Sequence, residues 1–237
     1  MFFKKSLPKL IKQFKPSIAM VGFYIIRQNQ NQTTMGIRGT AFCVAPFLLV
    51  TAAHVYQQMQ EEEKNNIKVW VLDPADHLNY TMFNAQFISQ DQQNDIALIK
   101  ILNPFDKNKA GKEIILKSLL LSDSDNAMEG EEVFFCGFPE STMSLSPERQ
   151  EISFVSAHAI VSSVKQDTNT KKVSVFFLDT NCDKGFSGSP VFLRNGKIVA
   201  VVSGRFESRD SRVPTGLGLA RPINPLRTLL ENYSKTI

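Results

Sequence analysis

The sequence predicts an all-β fold, a sandwich or barrel architecture in two comparable halves. Three observations carry this. From residue 17 onward the chain is built of short apolar or alternating runs, each roughly five to seven residues long, as strands require. Polar turns separate these runs throughout. One longer polar stretch, Asn103-Pro104-Phe105-Asp106-Lys107-Asn108-Lys109-Ala110-Gly111, splits them into two groups.

The runs before the split are 18–26, 40–44, 47–51, 67–72, 83–89 and 97–101. Those after it are 132–136, 151–164, 173–178, 191–193, 197–203 and 216–220. The expected organisation is therefore a basic arm (1–16), a first β unit (17–102), a linker (103–116), a second β unit (117–222) and a closing segment (223–237). Two helices are expected. One runs from Ala53 to about Lys64 with a solvated Gln57–Glu63 face. The other runs from Asn224 to about Tyr233, where Leu226, Leu229 and Leu230 recur at helical spacing.

Hydrophobic residues make up 43% and charged residues 21% of the 237 residues, which is the balance of a folded chain and not of a disordered one. The net charge of +4 is dispersed, so no nucleic-acid-binding face is expected. Lys4, Lys5, Lys9, Lys12 and Lys15 form the one basic cluster, read as a solvated arm, with weak contact to an anionic membrane or polymer as the alternative. The N-terminal residues mix Lys, Pro and Gln into the apolar positions, and no 18-residue apolar run occurs, so neither a secretory h-region nor a membrane span is expected. Cys43, Cys136 and Cys182 are odd in number and show no paired spacing. Free thiols of this kind fit a reducing compartment, and the expected location is the cytoplasm, with export by a non-standard route as an effector the exception. No Cys or His pair has metal-ligand spacing, so no metal is expected.

Three short segments carry the chemistry. Thr51-Ala52-Ala53-His54 places an imidazole after an apolar strand with little bulk around it. Asn94-Asp95-Ile96-Ala97-Leu98 places a carboxylate at the mouth of a buried strand, where it needs a partner; Asp91 competes, but from a polar turn. Gly185-Phe186-Ser187-Gly188-Ser189-Pro190 places a hydroxyl in a glycine-rich turn able to bring the amides of Gly185 and Ser187 toward one point. A serine hydroxyl is a weak nucleophile until an imidazole takes its proton, and the imidazole needs a carboxylate to fix its tautomer. Converging amides would stabilise the oxyanion that such an attack creates. The α/β-hydrolase elbow is excluded: Ser189 stands where that motif needs glycine, and its serine precedes its histidine in the chain. His77 and His158 lie in polar or strand contexts and are read as structural or surface residues.

With these motifs in the order His, Asp, Ser, the chain resembles a trypsin-like serine peptidase of the chymotrypsin clan. It is similar above all to bacterial single-domain and HtrA-type members. The matching segments are 39–55, 94–101, 132–139, 179–192, 198–204 and 216–222. The resemblance implies two antiparallel six-stranded β-barrels with a C-terminal helix. It also implies Ser187 as nucleophile, His54 as general base and acid, and Asp95 as orienting carboxylate in the cleft between the barrels. No metal or organic cofactor is implied, and the partner is a protein or peptide substrate. By offset from Ser187, Asn181 falls at the base of the primary specificity pocket, with Ser203, Gly204 and Arg205 as its wall.

The departures are as informative. Phe186 stands where secreted relatives carry the Asp that pairs with a newly cut N-terminus, so activation by that insertion is not expected. Val55 follows His54, which removes the disulfide found beside this histidine in secreted relatives. No carboxylate matches the trypsin pocket position, although Asp183 is near, so selectivity for Arg or Lys is disfavoured. Small or medium uncharged side chains are preferred over acidic ones, which Arg205 would attract. HtrA-type proteins carry a PDZ domain after the protease, and none follows here, which speaks against peptide-triggered regulation. The expected activity is endopeptidase action through an acyl-enzyme. The alternatives are a protease-like barrel that binds an extended peptide without cutting it, and an acyl transferase or esterase on the same site.

Overall fold

A computed structural model describes residues 6–27, 32–73, 80–102, 116–142, 153–207 and 214–235. The expected linker lies outside these residues except for Leu116, as do Lys4, Lys5, His77 and the first residues of the run that starts at 151.

Two closed antiparallel barrels of six strands each make up the fold. The first contains β1 (Ile18–Arg27), β2 (Gln32–Ala45), β3 (Leu48–Thr51), β4 (Ile67–Leu72), β5 (Tyr80–Asp91) and β6 (Ile96–Ile101), closed in the order β1-β2-β3-β6-β5-β4. The second contains β7 (Glu132–Gly137), β8 (Val155–Gln166), β9 (Val173–Leu178), β10 (Pro190–Leu193), β11 (Ile198–Glu207) and β12 (Pro214–Pro222), closed in the order β10-β11-β12-β9-β8-β7. Closure leaves no long open sheet edge in either unit.

Several strands read as continuous apolar runs because both of their faces are buried. In β3, Leu49 points into the first barrel while Leu48 and Val50 point at the second. In β7 the same division separates Val133 and Phe135, inside the second barrel, from Phe134 and Cys136 between the barrels. The described residues thus form three cores, one in each barrel and a third clamped between them. That third core sets the relative position of the two barrels and hence of any side chains facing the cleft.

Among the described residues, four α-helices decorate the barrels: α1 (Leu7–Phe14), α2 (Ala53–Gln57), α3 (Glu61–Lys64) and α4 (Pro225–Ser234). Instead of one helix over 53–64 there are two. The second restarts at a capping box, in which the Gln60 amide donates to Glu63 Oε2 at 3.0 Å. Glu63, itself buried, then pairs with Arg38 of β2 at 2.5 Å.

The basic arm is also more than a solvated tail. Leu7, Leu10, Ile11 and Phe14 form an apolar stripe opposite Lys9 and Lys12, and Leu10 and Phe14 are buried. Phe14 stacks on Phe192 at 4.7 Å between ring centroids, and Phe192 stacks in turn on Phe134 at 4.9 Å. Gly196 lies beneath this helix, and a Cβ there would come within 2.9 Å of the Phe14 ring.

Candidate functional site

β3 delivers the chain to the cleft at Thr51, and His54 sits in the first turn of α2 immediately beyond it. Asp95 occupies the turn between β5 and β6 with φ of 52°, a left-handed conformation that Asp tolerates better than most residues. The same turn is tied by Asp91, whose carboxylate accepts from the amide of Asn94 at 3.0 Å and from its side chain at 2.7 Å. Asp91 is therefore engaged in its own turn, and Asp95 alone reaches the histidine.

The three groups form a continuous chain of contacts. His54 Nδ1 lies 2.8 Å from Asp95 Oδ2, and His54 Nε2 lies 2.9 Å from Ser187 Oγ. The His54 backbone amide donates to Asp95 Oδ1 at 2.9 Å. An ionised carboxylate only accepts, so Nδ1 carries the ring proton and Nε2 is left to accept from the serine. Burial opposes ionisation of Asp95, but hydrogen bonds and charge from His54, joined by Ser203, outweigh it and hold this carboxyl below its ordinary pKa.

Ser203 holds a place that sequence reasoning did not give it. It is expected in the pocket wall, and beyond that its hydroxyl donates to Asp95 Oδ2. The cause is a β-bulge: the register of β11 against β12 runs from Val202–Ala220 to Gly204–Leu219, so Ser203 is the extra residue and its side chain is re-aimed.

The Ser187 turn is built on glycines with φ of 92° at Gly185 and 88° at Gly188. At Gly188 a side chain is also sterically excluded, since a Cβ would lie 2.0 Å from the Thr40 carbonyl oxygen of the first barrel. The carbonyls along the turn are tied. Lys184 O accepts from the Glu140 amide, Phe186 O from Ser189 and Ser187 O from Thr40, each at 2.8 Å. The amides of Gly185 and Ser187 donate to no backbone carbonyl among the described residues. Phe186 is buried edge-on to Phe135 at 5.0 Å, an apolar anchor in place of an ion pair.

Of the expected pocket residues, Asn181 is exposed, while Cys182 is buried at 2% accessibility. A Cβ at Gly218 of β12 would lie 2.5 Å from the Cys182 sulfur, so the thiol, not the amide, packs against this strand. Asp183 accepts from Ser141 Oγ at 3.1 Å. Gly204 and Arg205 lie on β11 opposite Leu219 and Gly218. Arg205 is half-buried and already engaged by another group. His158 is exposed on β8, 3.7 Å from Glu132, and stands apart from this site.

Residues 39–201 match the family described as the trypsin-like peptidase domain. The chain belongs to that family. Within it, the chain is 28% identical over 201 residues to a probable periplasmic serine endoprotease, DegP-like, of Rickettsia prowazekii, covering 83% of this chain and 33% of that one. It is 26% identical over 146 residues to an HtrA-like serine protease of Staphylococcus epidermidis, covering 61% of this chain and 23% of the relative. The chain thus spans a third or less of the length of these relatives. Among solved structures, the HtrA-type protease AlgW with decapeptide superposes with a TM-score of 0.71 at 16% identity, over 98% of this chain and 68% of that one, a likeness of fold. The trypsin-like, HtrA-type resemblance and the two-barrel fold are therefore as the sequence predicts.

The expected cytoplasmic location is corrected by the same comparison, because the Rickettsia relative is described as periplasmic. The inference from cysteine failed for a physical reason. Cys43, Cys136 and Cys182 are all free and buried. Burial pushes their thiols up to about 11, 12 and 12 respectively, with the Asp183 charge adding to the effect at Cys182. Thiols this protonated and enclosed are inert, so they carry no information about the redox state of a compartment.

Proposed function

We propose that the chain is a serine endopeptidase that works through an acyl-enzyme, with Ser187, His54 and Asp95 as its reacting machinery. The single observation that carries this reading is the unbroken path Asp95 Oδ2–His54–Ser187 Oγ, with contacts of 2.8 and 2.9 Å. Ser187 Oγ attacks the scissile carbonyl carbon while His54 Nε2 takes its proton. The C=O electrons move onto oxygen, which the Gly185 and Ser187 amides receive. Collapse expels the amine, protonated by the imidazolium, and leaves an ester on Ser187. Water, deprotonated by the same imidazole, then releases the acid and restores the serine. Asp95 stays ionised throughout and stabilises the imidazolium.

Peptide and protein substrates suit the cleft. β10 pairs with β11 only as far as Val201, so beyond it β11 offers backbone groups at Ser203 and Gly204 to an extended chain. The AlgW structure that shares the fold was determined with a decapeptide. For the side chain preceding the cleaved bond, a small or medium uncharged group is preferred. Cys182 packed on Gly218 presents no carboxylate to a basic side chain.

Treatment with a fluorophosphonate and intact-mass measurement tests the reading. One adduct is expected on the parent and none on Ser187→Ala, which also loses peptide turnover on the order of a million-fold while keeping its fold. No adduct on the parent, or equal labelling of the variant, would overturn it; stoichiometric peptide binding without an adduct would favour the binding module.

A further inference from the structure

The glycines that let the Ser187 turn adopt its shape do nothing to hold it there. Gly185 visits positive and negative φ at similar cost, so each flanking peptide plane has an alternative orientation close in energy. The orientation is set by what the peptide groups meet: the Phe186 amide donates to Asp183 O at 3.1 Å, and the rest is done by the carbonyls. In a trans peptide the N–H points opposite to the C=O. Fixing the Lys184 and Phe186 carbonyls therefore aims the Gly185 and Ser187 amides the other way. Both of those carbonyls, and that of Ser187, are held by backbone donors. The Gly185 carbonyl, which lies between them, is held by a side chain: Thr40 Oγ1 of the first barrel donates to it at 2.8 Å.

That hydroxyl is not a free rotor. Thr40 is fully buried, and its Oγ1 accepts from the Phe138 amide at 3.1 Å, which directs its proton toward Gly185. Thr40 spends its main chain on the same junction. Its amide donates to Ser187 O at 2.8 Å, and its carbonyl accepts from Thr51 Oγ1 at 2.7 Å. Gly137 presses on it from behind, where a Cβ would come within 2.7 Å of Thr40 Oγ1. One residue of β2 thus bolts the segment carrying His54 to the turn carrying Ser187.

We propose that Thr40 is a positioning residue, whose hydroxyl locks the Gly185–Phe186 peptide and so keeps the two amides on either side of it aimed at the reacting oxygen. The inference rests on the serine-peptidase reading above and deepens it. Removing the hydroxyl leaves a buried acceptor at Gly185 and a buried donor at Phe138 unsatisfied, and the turn relieves this by rotating. A shift of about 1 Å in such a group costs on the order of a hundredfold in rate. The loss falls on the transition state, whose oxyanion those amides meet, and spares the ground state, which binds along β11.

The test compares Thr40→Val, which keeps shape and loses the hydroxyl, with Thr40→Ser, which keeps the hydroxyl and loses the methyl. Kinetics on a peptide ester are normalised to sites titrated with the fluorophosphonate. Expected for Thr40→Val is a kcat lowered about tenfold to a hundredfold with KM within about threefold. Affinity for a peptide aldehyde, which forms the tetrahedral adduct, falls by a similar factor, and Thr40→Ser restores both. If Thr40→Val does not fold, Thr40→Ala, which cannot overpack the site, is read in the same way. An active parent whose Val or Ala variant keeps its kcat and aldehyde affinity overturns the positioning role alone, as does failure of Ser to rescue. A parent that neither turns over nor takes an adduct overturns the peptidase reading, and the role of Thr40 with it.

Discussion

The two walls of the cleft are built by different means. The first barrel contributes side chains, with His54 at the start of a helix and Asp95 in a strand-connecting turn. The second contributes the hydroxyls of Ser187 and Ser203 and a set of backbone groups, in a turn whose shape depends on glycine and whose carbonyls are individually tied. The difference has a consequence for how each wall fails. On the side-chain wall, changing a functional group removes its chemistry and leaves the geometry. The Gly185 and Ser187 amides of the second wall cannot be deleted by a side-chain change, and damage to them comes from whatever lets a peptide plane turn, as at Thr40.

Asp95→Asn breaks the side-chain wall with the largest effect in this comparison. The amide is isosteric, but its NH2 donates where the carboxylate accepted, so Nδ1 becomes the acceptor and the ring proton moves to Nε2. The imidazole then has no lone pair to offer Ser187. A fall of about ten-thousand-fold in kcat is expected, measured on site-titrated enzyme against a peptide ester, with little change in KM. A loss of less than about tenfold would mean that Asp95 does not set the tautomer.

Phe14→Ala sharpens the comparison from outside the cleft. The ring is buried and stacked on Phe192, so its loss is expected to cost about 3 kcal/mol of stability, or a Tm lower by roughly 6–12 °C by thermal denaturation. Neither wall touches it, so kcat per titrated site should be unchanged at a temperature where both proteins are folded. A variant as stable as the parent would return the arm to the solvated tail that its lysines suggested.

What the sequence made legible follows from how local the cause was. His54, Asp95 and Ser187 each stand in a segment whose immediate neighbours single it out, and the structure brings the three into contact; the two-barrel fold follows from strand spacing and resemblance. Strand position predicts Ser203 only as pocket wall and does not show its hydroxyl on Asp95, because a bulge changes side-chain direction without leaving a mark in composition. Thr40 was invisible, since a threonine in a strand is ordinary and its partners, Gly185 and Phe138, lie about a hundred or more residues away. Five lysines outweigh Leu10 and Phe14 in the composition of the arm, so it reads as solvated although both residues are buried and recur at helical spacing. The cysteines misled because burial, and not number, decides what a thiol reports.

The smallest expected effect separates the structural from the catalytic side of Asp95. Its folded-state pKa lies below the ordinary 3.8, since His54 and Ser203 stabilise the carboxylate more than burial penalises it. A depressed carboxyl contributes stability that is fully present above its unfolded value and is lost as pH falls through the lower folded value. The parent should therefore lose Tm relative to Asp95→Asn as the pH drops from about 5 to below the ordinary carboxylate range, the asparagine having nothing to titrate. A constant difference over that interval would mean that burial and the hydrogen bonds balance at Asp95, and a parent that gains Tm relative to Asp95→Asn would mean that burial wins. The carboxylate would then be held in the first wall at a net cost to the fold, for the sake of His54 alone.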